Sequence, residues 1–320
     1  MVDIAFVFPG QGSQYVGMGK NFYDSLPEAR KIYKEADEVL QEDFKSLCFN
    51  GPDESLTLTQ NAQPAILTHS IIALKMLRES DIDCVLAAGH SLGEYSALVA
   101  AGAIRFKDAI RLVRLRGRFM QEAVPVGIGS MAAIIGMQAE KVWELCKRVS
   151  SEGSLVEPAN LNSPEQIVIA GHKDSVEKVS SLAREAGAKK AVILPVSAPF
   201  HCSLMKPAEI KLQVELEKTE FQDLSFPVIT NVEAKPNTKG SRAREALRQQ
   251  VCSPVRWTEI MQSLVDQGIR TVVELGPGKV LSGLIRRFDK NITCYQVEDC
   301  ESLERTVSAL KQNKTNIRMV

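Results

Sequence analysis

Short apolar runs alternate with longer amphipathic stretches through most of the chain. Ile4–Phe8 is an unbroken apolar run, the pattern of a strand buried on both faces. It ends in a glycine-rich turn, Pro9-Gly10-Gln11-Gly12-Ser13-Gln14. Helical periodicity follows over Pro27–Leu40 and Ala62–Arg78. A second apolar run, Asp83–Ala88, predicts another buried strand, and Lys107–Ala123 predicts a helix. Strands alternating with helices indicate an α/β protein built on a parallel sheet.

The middle of the chain changes character. Gly129–Gly136, Leu155–Leu161, Gln166–Ala170 and Lys189–Val196 read as strands, with helices at Ala139–Ser151 and Ser175–Gly187. The order β-α-β-β-α-β is that of a ferredoxin-like unit. Pro125-Val126-Gly127 and Ser197-Ala198-Pro199 bound it as hinge peptides. The α/β pattern then resumes. Helices are expected at Pro207–Thr219, Ser241–Val251, Trp257–Gly268 and Lys279–Phe288, and strands at Phe226–Val232, Thr271–Leu275 and Ile292–Val297. The polar Lys311–Arg318 tail reads as frayed. The expected organisation is a discontinuous core domain, residues 1–126 and 198–320, interrupted by a small unit over 127–197.

Composition narrows the classes of function. The 320 residues are 44% hydrophobic and 24% charged, as in an ordinary globular protein. Lys plus Arg (39) balances Asp plus Glu (39), which argues against a nucleic-acid binder and against a polybasic membrane anchor. No stretch approaches the roughly 20 apolar residues of a membrane span, and Met1–Phe8 lacks a signal-peptide pattern. The seven cysteines include no C-x-x-C pair and read as reduced thiols of a cytoplasmic protein.

Candidate chemistry centres on Gly89-His90-Ser91-Leu92-Gly93, a G-x-S-x-G pattern. Alone it is a common coincidence, and a serine at a helix start is often only a cap. Here an apolar run precedes it and the small-residue helical run Glu94–Ala101 follows. Strand, tight turn and helix form the setting of a nucleophile elbow. Ser91 then stands exposed above a sheet, with the Leu92 backbone N–H placed to help hold an oxyanion.

A serine hydroxyl needs a base to become a nucleophile, and the chain has four histidines. His69 lies in a helical pattern and reads as packed. His90 adjoins the serine in a tight turn and should point elsewhere. His172 follows a strand at the edge of the small unit. His201 remains, at the return from that unit and after the serine, where elbow enzymes place their base. Cys202 beside it reads as a buried filler thiol. No acidic residue after Ser91 stands in a motif that would orient His201.

The helix Lys107–Ala123 carries Arg111, Arg114, Arg116 and Arg118. At about 100° per residue, Arg111, Arg114 and Arg118 share a face, expected to be solvated. Arg116 falls among Leu112, Phe119, Met120 and Ala123, inside the apolar stripe. A buried guanidinium needs an anionic partner. That partner is either a structural Asp or Glu or a carboxylate on the substrate, held bidentately. Gly276-Pro277-Gly278-Lys279 lacks the spacing of a phosphate loop and reads as a tight strand-to-helix turn.

Taken together, these residues resemble the malonyl-CoA:acyl-carrier-protein transacylases of type II fatty acid synthesis. The likeness spans nearly the whole chain. It runs through Phe8–Gln14, Gly89–Tyr95, Arg114–Arg118, Asn160-Leu161-Asn162-Ser163-Pro164, Ala198-Pro199-Phe200-His201, Gln250, Pro254–Trp257 and Glu274–Lys279. Acyltransferase domains of polyketide synthases are near neighbours. The resemblance implies an α/β-hydrolase-like core with a ferredoxin-like insertion. It implies Ser91 as the acylated nucleophile, His201 as base and acid, and Gln11 with the Leu92 N–H as oxyanion hole. It implies Arg116 at the malonyl carboxylate, Asn160, Asn162 and Phe200 at the substrate, and the backbone carbonyl of Gln250 orienting His201. A neutral carbonyl there avoids placing a second negative charge near the malonyl group. Val251-Cys252-Ser253 departs from the family, where an aromatic is common. The implied reaction is ping-pong transfer from malonyl-CoA to the phosphopantetheine thiol of an acyl carrier protein, without metal or other cofactor. Lys189, Lys190, Arg286 and Arg287 are candidate contacts for an acidic carrier, although such pairs are commonly just solvated. A serine hydrolase, a transferase of another acyl group and a catalytically silent carrier-binding protein are the competing readings.

Overall fold

The apolar run Ile4–Phe8 forms β1, a strand buried at every position inside a six-stranded sheet. Its side chains divide by parity, as a pleated strand requires. Ile4, Phe6 and Phe8 enter one core, and Ala5 and Val7 enter the core on the opposite face. The computed structural model describes residues 3–125, 127–196 and 198–318.

After β1 come α1 (Lys20–Ser25), α2 (Pro27–Leu40), α3 (Phe44–Asn50), α4 (Asp53–Thr57) and α5 (Thr59–Arg78). Next are β2 (Leu86–Gly89), α6 (Gly93–Ala100) and α7 (Phe106–Glu122). The middle supplies β3 (Gly129–Ile135), α8 (Ala139–Val149), β4 (Val156–Ser163), β5 (Gln166–His172), α9 (Lys173–Glu185) and β6 (Lys190–Ile193). The last part adds α10 (Lys206–Glu217), β7 (Val228–Ile229), β8 (Pro236–Asn237), α11 (Gly240–Gln250) and α12 (Trp257–Asp266). β9 (Thr271–Leu275), α13 (Val280–Phe288), β10 (Thr293–Val297) and α14 (Cys300–Arg318) complete the chain.

The large sheet has the order β10-β9-β1-β2-β7-β8. Every pairing in it is parallel except β7 with β8. The mixed α/β class read from the sequence therefore holds. The expected strand Phe226–Val232 is only two residues long, because the chain turns after Ile229 into the short hairpin partner β8. Helix α14 also differs from expectation, since the tail expected to fray continues it to Arg318. The short helices α1, α3 and α4 carry too few turns to show a periodicity. One of them, α3, is set by a local cap, the Asp43 carboxylate accepting from Ser46 N–H at 3.3 Å.

The four strands of the middle region form their own sheet, order β4-β5-β3-β6, with all pairings antiparallel. One face carries Ala132, Ile134, Ile167 and Ile169 into a core with α8 and α9, through Val142, Leu145, Val176 and Val179. The other face carries Met131, Val168 and Ala170 into the core of the large sheet's layer. β6 ends at Ile193 rather than Val196, because Leu194, Pro195 and Val196 turn inward to line a cavity between the two sheets. The expected joints fall on Val126 and Ser197, which lie outside the described residues. No helix among the described residues is long and apolar enough to cross a membrane.

Candidate active site

The elbow is built by close approach. β2 ends at Gly89 and α6 begins at Gly93. A Cβ on Gly89 would lie 1.9 Å from the Gly93 carbonyl carbon, and one on Gly93 would lie 2.0 Å from the Phe8 oxygen. Only glycine fits at either position. Between them Ser91 takes a left-handed backbone, φ 51°, which costs a non-glycine residue about 1 kcal/mol or more. Asn231 holds the turn: its Oδ1 accepts the Ser91 N–H at 2.7 Å and its Nδ2 donates to the Gly89 carbonyl at 2.7 Å. Among the described residues the backbone N–H of Leu92, at the start of α6, has no acceptor. It is a free donor beside the Ser91 hydroxyl.

His201 is the histidine brought to Ser91, with Nε2 2.7 Å from Oγ. Its Nδ1 lies 2.9 Å from the Gln250 carbonyl oxygen. A carbonyl only accepts, so Nδ1 carries the proton and Nε2 presents a lone pair to the serine O–H. Burial, with the Arg116 charge adding to it, pushes His201 down to about 3, so the ring is neutral at rest. The other three histidines are elsewhere occupied. His69 is buried, with Nε2 2.8 Å from the Glu298 carbonyl. His172 Nδ1 accepts the Leu155 N–H at 2.8 Å. His90 turns away from Ser91, with Nε2 2.8 Å from Asn162 Oδ1 and its ring against Trp257.

Arg116 is 1% exposed. Its Nη1 donates to Gln63 Oε1 at 2.7 Å, and its Nη2 donates to Gln250 Oε1 at 2.8 Å and to Ser91 Oγ at 3.0 Å. The Tyr95 ring lies 5.7 Å from its guanidinium carbon. Every one of these partners is neutral. Of the two partners open in the sequence, a structural carboxylate in direct contact is therefore not the one found. Gly117 permits this placement, because a Cβ there would meet the Thr59 oxygen at 2.6 Å where α7 crosses α5. The solvated face expected of the neighbouring arginines holds fully only for Arg118. Arg111 donates to Glu215 at 2.8 Å, and Arg114 is half-buried against Glu42 and Asn61.

Ser91, His201 and Arg116 open into a cavity of about 400 Å³, also lined by Gln11, Met120, Met131, Asn160 and Phe200. The Gln11 side chain donates to Thr59 Oγ1 at 3.2 Å, so any role for Gln11 beside Ser91 falls to its backbone N–H. Asn162 lines an adjoining cavity through its contact with His90, not the one at Ser91. Lys189, Lys190, Arg286 and Arg287 are exposed and away from these groups; Lys189 pairs loosely with Glu165 at 3.8 Å. Cys202 is the buried filler expected, its Sγ donating to the Pro199 carbonyl. Three residues of the site carried no sequence signal: Gln63, Asn231 and the side chain of Gln250.

A neutral imidazole on a serine at an elbow, with free N–H groups nearby, can form and break an acyl-serine. A buried cation at the same oxygen adds a binding point for an anionic acyl group. Comparison with known proteins agrees with this chemistry. The acyl transferase domain family matches residues 5–319. A malonyl CoA-acyl carrier protein transacylase of Bacillus subtilis (strain 168) is 51% identical over 316 residues, covering 99% of this chain and 100% of the relative. The crystal structure of malonyl CoA-acyl carrier protein transacylase from Clostridium perfringens superposes with TM-score 0.95 at 42% identity, over 99% of this chain and 100% of that one. A malonyl-transacylase solved in complex with its type II PKS acyl-carrier protein gives TM-score 0.93 at 45% identity, over 96% and 99% of the two chains. Agreement from end to end, in sequence and in fold, places this chain in the acyl transferase domain family.

Proposed function

We propose that this protein transfers the malonyl group from malonyl-CoA to the phosphopantetheine thiol of an acyl carrier protein, through an ester on Ser91. The observation that carries the reading is Arg116, a buried cation 3.0 Å from Ser91 Oγ whose partners are all neutral. The relatives named above are malonyl transacylases, and one of them was solved with its carrier.

In the first half-reaction Ser91 Oγ attacks the thioester carbonyl while His201 Nε2 takes its proton. The backbone N–H groups of Leu92 and Gln11 receive the oxyanion. The C–S bond then breaks, His201 returns the proton to the CoA sulfur, and malonyl-Ser91 remains. In the second half the carrier thiol gives its proton to His201 and attacks the ester, and Ser91 Oγ is released with that proton. Arg116 holds the malonyl carboxylate by two parallel hydrogen bonds. That carboxylate also offsets the Arg116 charge that depresses His201, so the correct substrate makes the base stronger. The Gln250 carbonyl holds the imidazole tautomer without adding an anion. Asn160 and Phe200 shape the wall, and Asn162 acts through His90. No metal or further cofactor enters these steps.

The finer architecture is read as an α/β-hydrolase-like core over 1–126 and 198–320 with a ferredoxin-like insertion over 127–197. The strand order β4-β5-β3-β6 supports the insertion. Lys189, Lys190, Arg286 and Arg287 are the proposed carrier contacts, and the cytoplasm is the proposed compartment. The test is incubation with radiolabelled malonyl-CoA, with and without holo-carrier. Wild type should become labelled on Ser91 and pass the label to the carrier. Free malonate appearing equally fast without carrier would make it a hydrolase instead, and no label at all would leave a silent carrier-binding protein.

A further inference from the structure

Glu94 takes no part in the steps above, yet it is 1% exposed and only three residues beyond Ser91, in the first turn of α6. Its Oε2 accepts the Asn231 N–H at 3.0 Å and Gln250 Nε2 at 2.7 Å. The helix N-terminus favours a negative charge there. Both of its partners are neutral, and both touch the reacting groups. Asn231 holds the Ser91 N–H. Gln250 holds His201 through its backbone carbonyl, the Ser91 carbonyl through Nε2 at 3.0 Å, and Arg116 through Oε1.

A primary amide has one accepting end and one donating end. Turned over, Gln250 would set its NH₂ against the Arg116 guanidinium and its oxygen against the Glu94 carboxylate. Both contacts would be repulsive. The carboxylate thus acts with Arg116 and the Ser91 carbonyl, which meet the same ends of the amide, to hold the orientation in which Oε1 faces Arg116. A carboxylate in direct contact would be the arginine's own counter-ion and would compete with an anionic substrate. Set one amide away, it faces the buried charge and leaves the guanidinium without a bound anion. Burial raises Glu94 to about 7, against the pull of its two N–H donors and of Arg116, so the balancing charge is fully formed only above that pH.

We propose that Glu94 is a positioning residue that aims Arg116 through the Gln250 amide and thereby sets the preference for acyl groups ending in a carboxylate. This rests on the malonyl-transfer reading. A purely architectural role at the elbow would affect every acyl donor alike, so selectivity is the distinguishing measurement.

The test compares Ser91 acylation rates with malonyl-CoA and acetyl-CoA on one preparation, read by quenched-flow and intact-protein mass. The ratio cancels any misfolded fraction. In Glu94→Gln the malonyl-to-acetyl ratio should fall roughly tenfold, the scale of one charge-assisted hydrogen bond. The double variant Glu94→Gln/Gln250→Glu moves the carboxylate onto Arg116, and the ratio should fall further, by about 100-fold. A ratio unchanged in Glu94→Gln, with wild type malonylated normally, overturns the role of Glu94 whatever the double variant does, and leaves the transfer reading intact. Wild type that accepts no malonyl overturns both.

Discussion

The two sheets contribute different things to the cavity they enclose. From the six-stranded sheet and its helices come Ser91, His201, Arg116 and the Gln250 carbonyl, joined by contacts of 2.7–3.0 Å. From the four-stranded sheet come Met131 and Asn160, and from the segment after β6 come Leu194, Pro195 and Val196, which bound the space. Groups that exchange a proton must be held within about half an ångström. They therefore sit on one body, locked by glycine-limited contacts at Gly89, Gly93 and Gly117. Walls need only volume, and a second body packed through apolar residues can supply that.

Substitutions on the two bodies should differ in scale accordingly. Ser91→Ala should abolish covalent malonylation and lower transfer by roughly 10⁶-fold, the cost of removing a nucleophile outright. Mass spectrometry of the isolated protein reads it, and a malonylated variant would move the nucleophile elsewhere. Arg116→Ala should lower acylation by malonyl-CoA by about 100-fold and that by acetyl-CoA much less. Equal losses would make the arginine structural.

The same variant carries a pH signature. Arg116 is one of the influences that lower His201, and protonation removes the base, so wild-type acylation should be lost only well below the ordinary histidine range. Without Arg116 the acid limb should move upward toward 6.5, measured with acetyl-CoA. An unmoved limb would mean that burial alone sets the value.

Charge reversal at the surface separates the two bodies more gently. Lys190→Glu lies on the small sheet, and Arg287→Glu lies on α13 of the large one. Whichever body docks the carrier should show a 3- to 10-fold rise in carrier KM, on the order of a surface charge contact, with acylation unchanged. No change in either would place docking elsewhere. Met131→Leu should be the mildest, under about 1.5 kcal/mol in stability as a volume-conserving swap, with transfer nearly normal. A loss as large as that of Arg116→Ala would mean that the small sheet takes part in the chemistry.

Ser91 and His201 were legible because their signals are local: an elbow bounded by glycines, and a short roster of histidines to eliminate. Arg116 was half legible. Helical period placed it in the apolar stripe, but its neighbours Gln63 and Gln250 lie 53 and 134 residues away in the chain. β7 was overread because an apolar stretch does not reveal where a strand runs out of partners. The helix through Arg318 was missed because polar residues hide a weak amphipathic face.

The amino-acid sequence by itself determined the α/β alternation, the elbow at Ser91 and the burial of Arg116, since periodicity and turn chemistry act within a few residues. Tertiary structure decided which atoms meet. It brought the Gln250 carbonyl to His201 across 49 residues and the Gln250 amide to Glu94 across 156. Such pairings follow from how packed layers fall against one another, and no local pattern encodes that.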